Sequence, residues 1–288
     1  MTDNAIDFQA LFKQEKLRYR KELAKCKKSK KEIREQEANA NQQVTKEVNK
    51  HESYDSDIQP VITELRNVSL SRYLISHPSL PFPHVYYIEN FMHDTFSNSI
   101  QSWLRTLPHE VMDKGCSNSS SFEGKWTRLK HAERNVALFD LNHAPYPILE
   151  KLVDALMSIE AFPPDYRPNH VLINEYQGHE GIMPHTDGPK YFNRTATFSL
   201  GSGDVLLSFT PREEPSAEPT FQIKLHGTGS LVVFANDAYS KYCHGIKDRV
   251  ESLVEYANEK CVNCEPNTIV KRSHRISLTF RHKYNNAV

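Results

Sequence analysis

The 288-residue chain has no surplus of either charge, with 36 Lys+Arg against 36 Asp+Glu. Net charge therefore points to no anionic partner, neither nucleic acid nor an acidic membrane surface. Cysteine is scarce and odd in number at five, with no evenly spaced framework. That excludes a disulfide-stapled secreted scaffold and leads to the expectation of a reducing, intracellular compartment. No run of about 18 apolar residues occurs, so no membrane-spanning helix is expected. The opening MTDNAIDFQA lacks a basic-then-apolar leader pattern, and cytoplasm and/or nucleus is the expected location.

The helix breakers are also unevenly spread. All ten glycines lie at Gly115 or later, and the first proline is Pro60. The segment before them, KQEKLRYRKELAKCKKSKKEIREQE, is dense in strong helix formers of mixed charge. Its apolar residues are too sparse for a sustained heptad. Residues 1–60 are read as a charged helical extension with a linker, and residues 61–288 as one domain. The basic cluster over residues 13–31 would suit an arm that contacts nucleic acid. Interleaved acidic residues favour a simply solvated helix.

Within the domain, VYYI reads as a strand leading into a helix over residues 94–108. The serine-rich GCSNSSSFEG reads as a loop. Apolar residues at Ile148, Leu149, Leu152, Val153 and Leu156 recur with a period of 3.6, which predicts a helix over residues 146–159 ended by Pro163 and Pro164. From Asn169 the pattern changes to short strands: HVLINEY, TATFSL, DVLLSF, FQIKL, SLVVFA, SKYCHG and RISLTFR. Strands so short and numerous predict a sandwich or closed barrel. With the helices placed ahead of the strands, the fold expected is α+β: a double-stranded β-helix (jelly roll), core about 168–284, backed by helices.

The chemistry sits in NEYQGHEGIMPHTD. In extended backbone, side chains two apart point to one face, so His185 and Asp187 can grip one ion. A third ligand must come from further along. His244 is placed for it in an apolar-strand context, and His226 in FQIKLHGTGS competes. Two histidines and a carboxylate make the facial triad of non-haem Fe(II) oxygenases. Such a site leaves three iron positions, two for a bidentate 2-oxo acid and one for dioxygen. The co-substrate's far carboxylate then needs a cation. In RISLTFR, Arg275, Ser277, Thr279 and Arg281 share one face, while Ile276, Leu278 and Phe280 share the other. Arginines facing a barrel interior are costly unless an anion is bound, and arginine suits bidentate carboxylate binding. Asn174 and Tyr176 can add hydrogen bonds to the same ligand.

HxD, the downstream histidine, Asn-x-Tyr and the closing Arg-x-Ser-x-Thr-x-Arg together resemble the AlkB family of Fe(II)/2-oxoglutarate dioxygenases. PNHVLINEYQGHEGIMPHTDGPKYF followed by TATFSLGS is most similar to the family's sixth-homologue group. The resemblance covers roughly residues 80–284. It implies that His185, Asp187 and His244 ligate iron, and its spacing favours His244 over His226. It implies that Asn174, Tyr176 and Arg275 bind 2-oxoglutarate with Ser277 nearby. Arg281 would contact 2-oxoglutarate or lie nearer the substrate. The implied reaction couples decarboxylation of 2-oxoglutarate to hydroxylation of a substrate C–H bond. An N-methyl target would then leave as formaldehyde. The expected substrate is alkylated nucleic acid, RNA or DNA.

His244 to Arg275 is longer than the family minimum because residues 247–272 are an insertion-like polar stretch, and the resemblance implies that the sixth-homologue group tolerates a long segment there. Two other readings stay open: the same chemistry on a protein substrate, and a non-catalytic nucleic-acid-binding module. Trp126, Arg128, Lys130, Lys190 and Tyr191 are candidates for nucleic-acid contact, and Tyr191 and Phe192 serve equally as packing at the barrel mouth. His179, His274 and His282 read as structural or exposed. Cys261 and Cys264 form a lone CxxC, read as a reduced loop pair rather than zinc ligands. Oligomeric state is not legible.

Overall fold

The structure, a computed structural model, describes residues 69–109, 123–128, 134–214, 218–249 and 252–284. The charged N-terminal extension, its linker, most of the serine-rich stretch and Lys130 lie outside the described residues.

Two antiparallel sheets face each other. The larger holds, in spatial order, β1 (Val85–Ile88), β9 (Thr228–Ala235), β6 (Arg194–Gly201), β13 (Arg275–Arg281), β4 (His170–Tyr176), β3 (Asn135–Asp140) and β2 (Thr127–Arg128). The smaller holds β5 (Ile182–His185), β10 (Tyr242–Ile246), β7 (Val205–Pro211) and β8 (Phe221–Leu225). This is the expected jelly roll. Its strand faces follow from period-two patterning. On β13, Ile276, Leu278 and Phe280 turn outward into a core shared with the helices, and Arg275, Ser277 and Thr279 turn inward. A second core of Leu207, Phe209, Ile223, Val232 and Phe234 glues the sheets together.

Two helices back the larger sheet. In α1 (Asp94–Arg105) the buried Phe96, Ile100 and Leu104 are spaced by four, so they form one face. The ring of His93 caps the helix by accepting from the Thr95 amide at 3.4 Å. In α2 (Pro147–Ser158), Leu149, Leu152, Val153 and Leu156 are fully buried. Each such side chain contributes about 1.5–3 kcal/mol of burial free energy. Pro147 opens α2 where its missing N–H costs nothing. The helix ends before the two prolines: Glu160 takes φ 61, and Pro164 starts a separate 3-10 turn, Pro164–Tyr166.

The structure corrects the order of elements. Besides β1, which was expected ahead of the first helix, β2 and β3 lie between the two helices rather than after them. NVALFD was not legible as β3 because its short apolar run has no clean alternation, being buried against both the helices and β4. SKYCHG is only partly strand: α3 (Asp237–Ser240) takes Ser240, and β10 begins at Tyr242. The polar stretch after His244 is ordered by a hairpin, β11 (Val254–Tyr256) with β12 (Ile269–Lys271). Among the described residues no helix is long and apolar enough to cross a membrane.

Candidate metal centre

β5 and β10 pair antiparallel with His185 opposite His244. Their ring centroids lie 4.4 Å apart. Asp187 stands two residues beyond His185, past the end of β5, and its side chain turns to the same point. Donor atoms of His185, Asp187 and His244 all lie within 4.8 Å of one another, the only such grouping of three among the described residues. His226, the competing third ligand, is elsewhere, 3.3 Å from Glu89 and 3.5 Å from Asp204.

The surroundings prepare the three side chains to bind a cation. The Met183 carbonyl, 2.9 Å from His185 Nδ1, can only accept, so Nδ1 carries a hydrogen and Nε2 is the ring atom left for a metal. His244 is half-buried at its surface with its ring set inward, and that desolvation pushes its pKa down to about 4, so the ring is neutral. Its buried Nδ1 has no hydrogen-bond partner among the described residues. Burial alone would raise the Asp187 carboxyl, but Arg281, His244 and Thr195 outweigh it and hold its pKa below the usual 3.8. Asp187 accepts from Thr195 Oγ1 at 2.6 Å and from Arg281 Nη1 at 2.7 Å. Two imidazoles and one carboxylate at a point fit Fe(II).

A polar lane leads from this point along the inner faces of β4, β13 and β6. Arg275 pairs in register with Tyr176 and Ser277 with Asn174. Arg275 is buried, donates from Nε and Nη2 to Ser199 Oγ at 3.2 and 2.8 Å, and stands over the Tyr176 ring at 5.6 Å. Burial lowers its pKa to about 10. No carboxylate among the described residues pairs with it. A buried guanidinium in that position fits the far carboxylate of a 2-oxo acid. Thr197, Thr279, Leu207 and Phe234 line the cavity between Arg275 and the triad.

The expected residues divide as follows. His185, Asp187 and His244 meet at one end of the cavity, and Asn174, Tyr176, Arg275 and Ser277 line the rest of it. Arg281 is held on Asp187, with its guanidinium 4.3 Å over the Tyr191 ring. Arg134, Thr195, Thr197 and Ser199 were missed. Arg134 donates to Asn174 Oδ1 at 3.0 Å and sits 5.8 Å from the Tyr176 ring. The alternating hydroxyls of TATFS did carry a signal for the other three, since they share the inward face of β6. Trp126 is a correction: it is buried in the helix-backed core and donates from Nε1 to the Leu104 carbonyl at 2.9 Å. Its ring offers no face to a base. Arg128 and Lys190 are exposed, and Phe192 stacks on Tyr166 at 3.9 Å. His179 is buried, His274 bonds Glu175 at 3.0 Å, and His282 bonds the Arg167 carbonyl at 2.8 Å. Cys261 and Cys264 have Sγ atoms 2.7 Å apart and gather no third metal ligand among the described residues.

The chain matches the 2OG-Fe(II) oxygenase superfamily over residues 85–281. It is 30% identical over 236 residues to the Danio rerio protein named "Probable RNA/DNA demethylase ALKBH6", spanning 75% of this chain and 92% of that one. It is 29% identical over 119 residues to "Uncharacterized protein L905" of Acanthamoeba polyphaga mimivirus, spanning 41% of this chain and 50% of that one. Among solved structures, a Pseudomonas putida prolyl-4-hydroxylase aligns with a TM-score of 0.40 at 11% identity, covering 80% of this chain and 100% of the other.

Proposed function

The chain belongs to the 2OG-Fe(II) oxygenase superfamily and, within it, to the AlkB family, and on that footing we propose that it oxidatively demethylates nucleic acid. It is an Fe(II)- and 2-oxoglutarate-dependent dioxygenase, and its cofactors are Fe(II), 2-oxoglutarate and dioxygen. The name of the Danio rerio relative supports nucleic acid as the substrate class. The observation that carries the chemistry is the lane that starts at buried Arg275 and ends at three metal donors.

When bound, the iron supplies oxidative decarboxylation of 2-oxoglutarate: one oxygen atom of O2 enters succinate, CO2 leaves, and the other oxygen atom hydroxylates the methyl carbon. The N-hydroxymethyl product then releases formaldehyde and leaves the base with N–H. His185, Asp187 and His244 are assigned to hold the metal. Arg275 grips the far carboxylate of 2-oxoglutarate through a two-point fork. Asn174, Tyr176 and Ser277 supply hydrogen bonds along its length. Arg281 keeps Asp187 ionised and aimed, and Thr195 holds the other carboxylate oxygen. A base must leave its stack to reach such a recessed site. Tyr191 and Lys190, which follow the HxD strand, are assigned to meet it. The catalytic domain is taken as residues 61–288, with the charged extension outside it.

The test is release of succinate and formaldehyde from the Fe(II)-loaded protein with methylated oligonucleotides and, separately, methylated peptides. Equimolar products with oligonucleotides are expected, and none from Asp187→Ala. Stimulation by peptides alone would move the substrate class to protein. Silence from folded, iron-loaded protein on every member would refute the proposed demethylation.

A further inference from the structure

The two strands that carry the histidine ligands are poorly held by their own ladder. β5 and β10 share two registered pairs, His185 with His244 and Ile182 with Ile246, and the register shifts between them. Pro184 lies between those pairs and has no N–H to donate. The strands nonetheless run very close together. A Cβ on Gly181 would stand 2.1 Å from the Ile246 carbonyl oxygen, and one on Gly245 would stand 2.8 Å from Pro184 N. Glycine is required at both for that approach. Something other than the ladder must keep the pair closed.

The polar stretch over residues 247–272, between His244 and Arg275, supplies it. The β11–β12 hairpin ends at Lys271 and delivers Arg272, which is 4% exposed. Its Nη2 donates to the Glu180 carbonyl at 2.7 Å, and its Nη1 to the Lys247 carbonyl at 3.0 Å. Glu180 stands two residues ahead of Ile182 on the approach to β5, and Lys247 immediately follows Ile246 on the exit from β10. One planar guanidinium thus spans the open end of the ligand-strand pair. Glu255, also buried, receives Nη1 at 3.4 Å and pairs with Arg249 as well. The Arg249 amide donates to the His179 carbonyl at 2.9 Å, a second tie between the same two segments.

We propose that Arg272 is a positioning residue for the iron centre: its guanidinium fork bridges the ends of β5 and β10 and so fixes the separation of His185 and His244. The inference rests on the assignment of these histidines as ligands. Arginine is needed because its rigid fork presents two N–H groups in one plane, whereas an ammonium can satisfy both carbonyls only by holding a flexible stem in place. Groups hydrogen-bonded directly to ligand side chains typically change metal affinity by about 10–100-fold, and a tie that acts through the ligand strands is expected at the lower end, about tenfold.

The experiment titrates the full chain with Co(II) alone, without 2-oxoglutarate, following the Co(II) d–d absorption, and records thermal melting of the metal-free protein. Arg272→Met is expected to weaken Co(II) binding by about tenfold and to change the band shape. Arg272→Lys keeps a charge opposite Glu255, so it is expected to stay folded yet to recover little affinity; if Arg272→Met fails to fold, it carries the test. Leu156→Ala, in the core behind the larger sheet, should lower the melting temperature and leave Co(II) affinity unmoved. Wild-type affinity in a folded Arg272→Met or in Arg272→Lys would overturn the inference, as would an equal loss in Leu156→Ala. If the wild type itself binds no Co(II), the ligand assignment falls and this inference with it.

Discussion

Replacing Arg275 by methionine should move two measurements in opposite directions. Arg275 is a buried cation whose only side-chain hydrogen-bond partner among the described residues is Ser199. Burial lowers its pKa from 12.5 to about 10, so at neutral pH holding the charge costs about 3 kcal/mol, at 1.36 kcal/mol per pKa unit. The sign follows from proton linkage: the unfolded chain binds the proton more tightly, so the charged group opposes folding throughout the range below its folded pKa. A carboxylate in the lane offsets that cost, and its binding should carry a free energy of similar size. Arg275→Met should therefore weaken 2-oxoglutarate by on the order of 100-fold. The same change should leave the melting temperature of the co-substrate-free protein unchanged or raise it. Calorimetric titration of 2-oxoglutarate into Mn(II)-loaded protein under nitrogen gives the first quantity, and a thermal melt gives the second. A dissociation constant within threefold of wild type, or a melting temperature that falls sharply, would refute the anchor and make Arg275 a structural residue.

Asp187→Ala should abolish Co(II) binding, and because Arg281 is left a buried unpaired cation it should also cost about 3–5 kcal/mol of stability. Adding Arg281→Met should restore most of the melting temperature and none of the metal binding; stability that the second change fails to recover would show that the pair is not the cause. His170 and His244 both have pKa values pushed down to about 4, chiefly by burial. Each therefore contributes stability that is fully present above about pH 6.5 and lost as pH falls toward 4, about 2 kcal/mol apiece between pH 7 and 5. Denaturant melts of metal-free His170→Gln should show roughly half the wild-type pH slope in that window, and an unchanged slope would remove His170 from the account. Trp126→Phe should lose the hydrogen bond to the Leu104 carbonyl, about 1 kcal/mol, and leave the KM for a methylated oligonucleotide unmoved. A raised KM would return Trp126 to the substrate face.

The sequence by itself determined the elements whose chemistry is local. Period-two alternation on RISLTFR is a property of extended backbone, so the split between Arg275, Ser277 and Thr279 inside and Ile276, Leu278 and Phe280 outside was legible without coordinates. The same holds for His185 and Asp187, and for the apolar stripe of α2. Tertiary structure decided whatever depends on strands that are distant in the chain. Strand order and register set His244, not His226, opposite His185, and no local pattern separates those two histidines. Trp126 looked available to a substrate because burial is a property of neighbours, and its neighbours come from the helices. Arg281 could not be assigned between co-substrate and substrate until Asp187 was seen to occupy it. Residues 247–272 read only as a polar insertion, because Arg272 acts on the carbonyls of Glu180 and Lys247, and backbone carbonyls carry no sequence signature. Side-chain type and periodicity lie in the sequence, but pairing across the fold is set by packing.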